Sequence, residues 1–413
     1  MMLPTIQNEF SLQLLPFNHE VVNGVDFYIL EDAETDLVKV EIQMESGVKY
    51  QNKPFVARLL SDLLLEGTQK YPGESLKHTI DNLGAYIDVS VNRDDLIIEA
   101  VFLSRFHDQI VDILNQIIYH PKFTKENLKR VAGQLHNEIK LSNTKSSSMA
   151  FKLLTKELFA GHTYALFSDD KGIKTVDLND LNSFLPVVQN GIRKIFVSGA
   201  VHSNFVAELK SLVQKRTQNN VSVTALKSHV ACTVTKNTGK FDQDTMRIGQ
   251  VLQNLDHPDL VTLKLANLIF GGYFGSRLMQ IIREDKGWTY GIHSSIVNMQ
   301  EASYFIISSD LKKGVFKDCV EVIEAQMLDL QNNLVSEEEL DQAKRYLMGS
   351  MLQSLDGIFD QMNALKFSVF TGVNHQDYYE NMHHVVANIT PQDISAVCKK
   401  YFAVNKWVKV LVN

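Results

Sequence analysis

Residues 79–118, TIDNLGAYIDVSVNRDDLIIEAVFLSRFHDQIVDILNQII, contain the pattern that decides the fold. A helix end runs into Gly84, and two stretches with alternating apolar residues follow, separated by a polar turn. The last stretch has apolar residues three and four positions apart. Alternation with a period of two is typical of half-buried strands, whereas spacing of three and four is typical of an amphipathic helix. The segment therefore predicts a hairpin of two strands followed by a helix.

The same pattern returns later in the chain. Residues 282–328, IREDKGWTYGIHSSIVNMQEASYFIISSDLKKGVFKDCVEVIEAQML, again pass from a helix end through Gly287 to two strands and a helix. Two further pairs of segments match in the same order, namely long helices at 123–139 and 335–351, and a capped helix with a strand at 177–199 and 389–412. The second copies lie 203, 212 and 213 residues after the first. Three matches in one order indicate an internal duplication.

Each half combines helices with hairpin strands instead of a strict alternation of strand and helix. This arrangement predicts an α+β fold with two homologous, sandwich-like halves, in which helices pack on one face of a mostly antiparallel sheet. The polar stretch QKRTQNNVSVTALKSH at 214–229 predicts a linker, so we expect a first repeat at 1–213 and a second at 230–413. Two similar halves joined by a linker suggest half of a clamp around a central space.

The composition excludes several classes of protein. Hydrophobic residues are 45% and charged residues 22% of the 413 residues, which is ordinary for a soluble globular protein. The net charge of −7 gives no basic surface for nucleic acid, and no apolar run approaches the ~18 residues of a membrane span. Cys232, Cys319 and Cys398 are far apart and indicate neither a disulfide framework nor a metal knuckle. The N-terminus lacks a secretory signal, so we expect a cytoplasmic protein, although a chain whose leader had been removed would look the same.

Residues 54–68, PFVARLLSDLLLEGT, predict a buried helix that is interrupted by a polar notch. Pro54 suits the first helical position. Arg58 and Asp62 interrupt the apolar set, and a spacing of four residues places them on one face of the helix. Ser61 lies beside them. A core helix with such a notch carries either a site, the remains of one, or a solvated edge.

Residues 271–292, GGYFGSRLMQIIREDKGWTYGI, resemble the second-half signature of the pitrilysin/insulinase metallopeptidases, and most closely that of the half-sized subunits related to mitochondrial processing peptidase. The matching pieces are Gly271-Gly272, Ser276-Arg277-Leu278, Arg283-Glu284 and Gly287 with Tyr290. In the first half, the elements that resemble the surroundings of the family's zinc helix are Ser46-Gly47, Glu66-Gly67-Thr68 and Leu83-Gly84-Ala85. The similarity runs from around residue 20 to the C-terminus and includes the duplication.

The resemblance implies an inverted zinc motif, H-x-x-E-H, on the helix of the first half. In that motif two imidazoles four residues apart bind Zn²⁺, a glutamate activates the bound water, and a distal glutamate completes the protein ligands. In this chain the motif falls on Arg58-Leu59-Leu60-Ser61-Asp62, so both histidines and the catalytic glutamate are missing, while the distal ligand falls on Glu138. Because Arg58 would repel a divalent ion, we expect no zinc in this chain. We expect Arg58 to pair with Asp62 and to reach Glu138.

The remaining histidines offer little for another metal. His136 and Glu138 are two apart on a predicted helix and do not face one another. His107 and His120 flank a predicted helix without an obvious carboxylate partner. We therefore predict no metal site.

The resemblance also implies a functional pair in the second half. In the family, an arginine and a tyrosine seven residues apart donate hydrogen bonds to the substrate carbonyl and its developing oxyanion, and Arg283 and Tyr290 match them in identity and spacing. The alternative is that Arg283 pairs with a local acid and the Tyr290 ring packs in a strand. Gly271, Gly272 and Gly275 either let backbone approach a peptide or end a helix.

Together these features imply a subunit that lacks zinc. In two-chain members of the family, one subunit carries the zinc and the other carries the Arg/Tyr pair, which is the pattern of this chain. We expect it to be inactive alone, to pair with a zinc-bearing homologue as a heterodimer or else to form a homodimer, and to bind extended peptide at a sheet edge. The alternative is a non-proteolytic scaffold of the same fold, which has no need of Arg283 and Tyr290. A self-sufficient peptidase is disfavoured because Ser61 replaces the general base.

Overall fold

The computed structural model describes residues 14–165, 170–213, 226–252 and 257–413. The chain divides into two compact units: the N unit, Pro16–Val230 with Met299–Glu301, and the C unit, Ala231–Asn298 and Ala302–Asn413 with residues 14 and 15. Most of the predicted linker, residues 214–225, lies outside the described residues, and the predicted repeat boundaries stay a prediction. Among the residues described, no helix combines the length and the apolar character needed to cross a bilayer.

The described part of the N unit contains strands β1 to β6 and helices α1 to α7. The strands are β1 (Phe17–Val22), β2 (Val25–Glu31), β3 (Leu37–Met44), β4 (Tyr86–Val91), β5 (Leu96–Leu103) and β6 (Ile192–Gly199). The helices are α1 (Val56–Leu64), α2 (Glu74–Asn82), α3 (His107–Tyr119), α4 (Lys125–Ser142), α5 (Ser146–Leu158), α6 (Leu178–Asn190) and α7 (Ser203–Leu212).

The strands of the N unit form one mostly antiparallel sheet in the order β1-β2-β6-β3-β5-β4. Only β2 and β6 run parallel among the neighbouring pairs of these described strands. Strand β5 alternates buried and half-buried residues, as its sequence predicts. The apolar core joins the buried face of the sheet to the apolar faces of α1, α3 and α6.

The described part of the C unit contains strands β7 to β11 and helices α8 to α14. The strands are β7 (Cys232–Lys236), β8 (Asp244–Leu252), β9 (Thr289–Asn298), β10 (Ser303–Leu311) and β11 (Val408–Val412). The helices are α8 (Leu260–Asn267), α9 (Phe316–Asn332), α10 (Glu337–Gln353), α11 (Ile358–Thr371), α12 (His375–Glu380), α13 (Met382–Asn388) and α14 (Pro391–Tyr401). Two π-helical segments, Leu268–Gly272 and Met279–Asp285, lie between α8 and β9.

The sheet of the C unit repeats the topology of the N unit. Its order, β7-β11-β8-β10-β9, corresponds strand by strand to β2-β6-β3-β5-β4, and the single parallel pair falls at the same place in both. Gly84 and Gly287, which match in the sequence, have φ angles of 61° and 59°. Glycine has no Cβ and adopts this region without steric cost, which explains its presence at both positions. The α+β fold and the internal duplication are therefore confirmed.

Four helices that pair between the repeats begin with a side-chain cap. Thr124 and Ser336 each accept a hydrogen bond from the backbone N–H three residues on, at the starts of α4 and α10. Asp177 and Thr390 form reciprocal capping boxes at the starts of α6 and α14. Such caps satisfy backbone donors that the first turn of a helix leaves free.

The predicted start of α1 at Pro54 is wrong, because the helix begins at Val56. Phe55 precedes it with φ 72° and ψ −7°, and the Val56 N–H donates to the carbonyl of Lys53 at 3.4 Å. These angles are those of the third residue in a type II turn, and proline is favoured at the second. Pro54 therefore serves the turn that leads into the helix.

Candidate functional site

The polar notch on α1 is part of an ion-paired set that we call the Arg58 triad, Arg58, Asp62 and Glu138. Arg58 Nε donates to Asp62 Oδ2 at 3.2 Å, and Arg58 Nη2 lies 3.5 Å from Glu138 Oε2 on α4. Both contacts predicted for Arg58 are present. The side chains of Arg58 and Glu138 are 43% and 64% exposed, so the triad lies at the edge of the core.

Ser61 belongs to the same helix but faces inward. The residue is 1% exposed, and its hydroxyl donates to the carbonyl of Arg58 at 2.8 Å. At the position of the motif's glutamate, the chain therefore has a small buried hydroxyl that is bonded to its own helix. This group offers no carboxylate to accept a proton from water.

The pKa of Asp62 is raised mainly by burial. Desolvation raises the pKa of the Asp62 carboxyl above its ordinary value, and the Arg58 guanidinium opposes the rise. Glu138 and Asp88, a residue of β4, add repulsion that raises the pKa further. Arg58 is the group that holds these acids together.

The family's zinc does not fit these residues. Protein zinc sites are built from neutral imidazole, thiolate and carboxylate ligands. The Arg58 triad offers two carboxylates that already face a guanidinium, and a cation at the first ligand position repels Zn²⁺. The motif positions of this chain therefore hold no catalytic zinc.

A cavity of about 270 Å³ lies beside the Arg58 triad, and its lining includes Arg58, Glu138, Phe55, Val91 and Lys152. Val91 ends β4, which is the last strand in the order of its sheet. One side of β4 therefore has no neighbouring strand among the described residues. Such an edge carries N–H and C=O groups that can pair with an extended peptide.

The prediction that His107 lacks a carboxylate partner is wrong. His107 Nε2 lies 2.9 Å from Asp108 Oδ1, because neighbouring side chains in a first helical turn can fold towards each other. Glu208 on α7 completes a group whose potential ligand atoms lie within 4.8 Å of one another. The group sits at the start of α3, where the helix dipole favours negative charge and opposes a cation, and the Asp108 side chain is 71% exposed. The arrangement is that of a contact between a histidine and a neighbouring carboxylate at the surface.

The glycines of the C-unit signature allow close packing. A Cβ on Gly271 would lie 2.7 Å from Ser294 Oγ, and one on Gly275 would lie 2.8 Å from the ring of Tyr273. Gly272 is similarly crowded, with its nearest neighbours at 3.0 Å, and it ends the first π-helical segment. These contacts support a packing role. Peptide contact by the three glycines stays a prediction.

Arg277, in the same signature, has its hydrogen-bond donors committed to acids. Its Nε and Nη2 donate to the two carboxylate oxygens of Glu339 at 2.7 and 2.8 Å, and its Nη1 donates to Asp329 Oδ2 at 2.7 Å. The Arg277 side chain is 15% exposed. Bidentate, charge-assisted bonds of this kind fix the signature segment onto α9 and α10.

Arg283 is half-buried like Arg277, but it differs in its partners. Within the described ranges of the chain, its guanidinium forms no ion pair and no hydrogen bond. Its Cζ lies 4.6 Å from the ring centroid of Phe274, which is 64% exposed. A half-buried arginine in this setting has its N–H donors available to a ligand.

Tyr290 projects from a β-bulge at the start of β9. Tyr290 and Gly291 together face the single residue Asp310 of β10. The hydroxyl of Thr289 fixes the bulge, since it donates to the carbonyl of Asp310 at 2.7 Å and accepts from the N–H of Gly291 at 3.1 Å. Bulges redirect side chains, and Tyr290 is 91% exposed instead of packing in the strand.

Sequence reasoning missed two features of this site. Phe274 lies nine residues before Arg283, and the π-helical turns that bracket it leave no periodic signal for their contact. The bulge at Tyr290 had a weak signal, since an isolated glycine in a strand pattern suggests one. Both features bear on how the arginine and the tyrosine are presented.

Two family models match the chain, one in each half. The model described as Insulinase (Peptidase family M16) matches residues 27–167, and the model described as Peptidase M16 inactive domain matches residues 199–347. The Arg58 triad lies in the first match, and Arg283 and Tyr290 lie in the second. Together the matches span more than half of the chain.

Individual proteins are similar to the chain over most of its length. The non-peptidase homolog YmxG of Helicobacter pylori is 21% identical over 421 residues, which cover 98% of this chain and 95% of that protein. The mitochondrial-processing peptidase subunit beta of Caenorhabditis elegans is 21% identical over 387 residues, which cover 88% and 82%. A crystal structure of a peptidase M16 inactive domain from Pseudomonas fluorescens has a TM-score of 0.87 at 22% identity and covers 96% of this chain and 98% of that chain. The structural likeness establishes the fold.

Proposed function

Because the chain belongs to the pitrilysin/insulinase family, peptidase family M16, as a homologue without the zinc motif, we propose that it is the zinc-less subunit of a two-chain metallopeptidase. In this proposal, Arg283 and Tyr290 donate hydrogen bonds to the carbonyl of a bound peptide and to the oxyanion that forms from it. A homologous partner subunit supplies the zinc and the general base.

The observation that carries the proposal is the contrast between two arginines of one signature. Arg277 is bound by Glu339 and Asp329, whereas Arg283 makes no ion pair with any described residue. Tyr290, which lies on the bulge at the start of β9, is 91% exposed. Stabilisation of a developing oxyanion requires hydrogen-bond donors that are not already committed to other acceptors. A scaffold has no need of an arginine and a tyrosine whose donors lack partners among the described residues.

The N unit contributes a second element, the free edge of β4. A peptide that pairs with this edge uses main-chain hydrogen bonds, so binding depends little on its side chains. Asp88 of β4 lies near enough to Asp62 to influence its pKa, which relates the strand to the Arg58 triad. In the proposed subunit, the ion-paired Arg58 triad stands in place of the zinc site.

The partner is proposed to be a second M16-family chain that carries an intact H-x-x-E-H motif. The relative from Caenorhabditis elegans is named as a subunit of a processing peptidase, which supports an assembly of more than one chain. A homodimer of this chain would contain Arg283 and Tyr290 twice and would lack the zinc motif altogether. The heterodimer is therefore the assembly in which the free donors have a use.

The test is co-expression with an H-x-x-E-H-bearing homologue from the same organism, followed by cleavage of fluorescein-labelled casein in the presence of zinc. We expect cleavage to need both chains. Arg283→Ala is expected to reduce kcat/KM about 100-fold, and Tyr290→Phe about tenfold or more, because each removes a donor to the oxyanion. Co-elution of the chains on size exclusion must remain unchanged in both variants.

Arg345→Ala is the matched control, since Arg345 is exposed on α10 and has no ion pair among the described residues. We expect it to leave kcat/KM within twofold of the unmodified pair. If the partner cleaves casein equally well alone, or if the two chains do not associate, the subunit proposal is lost and the scaffold alternative replaces it.

A further inference from the structure

We propose that Phe274 is a positioning residue for Arg283: its ring holds the guanidinium in place while leaving the N–H donors free for a peptide carbonyl. This inference rests on the proposed function. It extends the Arg/Tyr pair by a third residue that touches neither the peptide nor the reacting atoms.

The geometry is that of a cation–π contact. Arg283 Cζ lies 4.6 Å from the ring centroid of Phe274, inside the ~6 Å range of such contacts. Phe274 is 64% exposed, so burial of the ring in the core does not explain its place in the chain. Its described contact is with the cation.

A ring and a carboxylate hold an arginine in different ways. A carboxylate accepts from the N–H groups, as Glu339 does from Arg277 at 2.7 and 2.8 Å, and those donors are then committed. A ring attracts the positive charge without accepting these hydrogen bonds, so the planar guanidinium keeps its donors. An arginine that must bind a carbonyl only when substrate arrives needs the second kind of support.

The segment around Phe274 is itself fixed. The ring of Tyr273 packs on that of Tyr346 with centroids 4.8 Å apart, and the N–H of Ser276 donates to the carbonyl of Tyr273 at 3.2 Å. Gly275 is required here because a Cβ would lie 2.8 Å from the Tyr273 ring. The turn therefore presents Phe274 outward at a defined place, and Arg283 settles on it.

The test is a double-mutant cycle in the co-expressed pair, with cleavage of fluorescein-labelled casein as the readout. Phe274→Ala is expected to reduce kcat/KM about three- to fivefold, the strength of an exposed cation–π contact. Phe274→Tyr keeps the ring face and should stay within twofold, whereas Phe274→Leu should behave like the alanine variant. In an Arg283→Ala background, Phe274→Ala should have no further effect, because there is no guanidinium left to position.

A second readout needs no partner. In the full chain, the δ-protons of isotope-labelled Arg283 should show an upfield ring-current shift in the NMR spectrum that Phe274→Leu removes and Phe274→Tyr retains. Absence of this shift in the unmodified chain overturns the inference, whatever the activity data show.

The outcomes separate the two proposals. If Arg283→Ala abolishes cleavage while Phe274→Ala is silent, the inference fails and the proposed function stands. If Phe274→Ala reduces cleavage equally with and without Arg283, the ring acts by another route and the inference also fails. If Arg283→Ala leaves kcat/KM unchanged, the proposed function fails, and the inference about Phe274 fails with it because it rests on that function.

Discussion

Arg58 donates to Asp62 across one turn of α1 at 3.2 Å, at the two positions where the family's motif has its histidines. The helical spacing that lets two imidazoles share one metal also lets a guanidinium reach a carboxylate. Glu138 remains in reach of the same position, 3.5 Å from Arg58. The helix therefore places these three positions within reach of one another, with side chains whose chemistry differs from that of the motif.

We predict that Arg58→His combined with Asp62→His creates a zinc site. The two imidazoles would lie four residues apart on α1, with Glu138 as a carboxylate ligand on α4. Atomic absorption after equilibration with zinc and dialysis should give about one zinc per chain for the double variant, the stoichiometry of such a site. Adding Glu138→Gln should weaken binding, and failure of the double variant to retain zinc would show that the helix has lost the motif's geometry.

Arg58→Ala should destabilise the protein, and more so as the pH rises. The raised pKa of Asp62 means that its ionisation opposes folding, so its penalty is absent at low pH and grows as the carboxyl loses its proton. Without Arg58 the pKa rises further. We expect the free energy of unfolding to fall by about 0.5–1 kcal/mol at pH 7.5, which is typical of a partly exposed ion pair. Urea denaturation at pH 7.5 and pH 4.5 measures it, and Arg58→Ala with Asp62→Ala should regain part of the loss.

Much of the fold could be predicted because its signals are local. The caps at Thr124, Ser336, Asp177 and Thr390 follow from side chains that satisfy the first turn of a helix, and the duplication repeats them at nearly constant offset. The start of α1 was predicted wrongly at Pro54, because the sequence does not distinguish a proline at the second position of a type II turn from a proline at the first position of a helix. Only the positive φ of Phe55 distinguishes them.

Only those parts of the site that follow from residue spacing or from the family resemblance could be predicted from the sequence. The contacts of Arg58 depend on a helical turn and a matched ligand position, and both could be inferred. The contact between Arg283 and Phe274 depends on how π-helical turns bring a loop back onto a helix, which no periodic pattern encodes. The pairing of His107 with Asp108 depends on rotamers, which sequence does not specify.

Arg277→Ala should cost far more stability than Arg283→Ala. Truncation of Arg277 removes three charge-assisted hydrogen bonds and takes the cation away from Glu339 and Asp329, so the free energy of unfolding should fall by about 2–4 kcal/mol. Arg283 has no such partner among the described residues, so its truncation should change the free energy of unfolding by about 0.5 kcal/mol or less. Urea denaturation of the full chain compares the two. Equal losses would mean that Arg283 is a structural residue after all.

Gly271→Ala should destabilise the C unit by about 1–3 kcal/mol, the usual cost of overpacking. The new Cβ would lie 2.7 Å from Ser294 Oγ and 3.0 Å from Leu278 Cδ1, so the segment must shift. Gly349→Ala is the matched control, because Gly349 lies in α10 with open space where the Cβ would be. It should stabilise the protein by about 0.5–1 kcal/mol. Thermal unfolding that shows no difference between the variants would contradict the packing role of Gly271.

Asp95→Asn should stabilise the protein at neutral pH and have little effect at acid pH. Burial, followed by the charge of Asp94, raises the pKa of Asp95 to about 6. Because this value exceeds the ~3.9 of an unfolded aspartate, its ionisation opposes folding; the penalty is absent below about pH 4 and complete above about pH 6. The amide removes the charge and keeps an oxygen to accept from Gln300 Nε2, so the gain at pH 7.5 should be about 1–3 kcal/mol. Melting temperatures of the two proteins from pH 4 to 7.5 measure this gain in stability. Asp36→Asn, at an exposed aspartate, is the control. A gain in stability that does not depend on pH would show that the charge of Asp95 is not its cause.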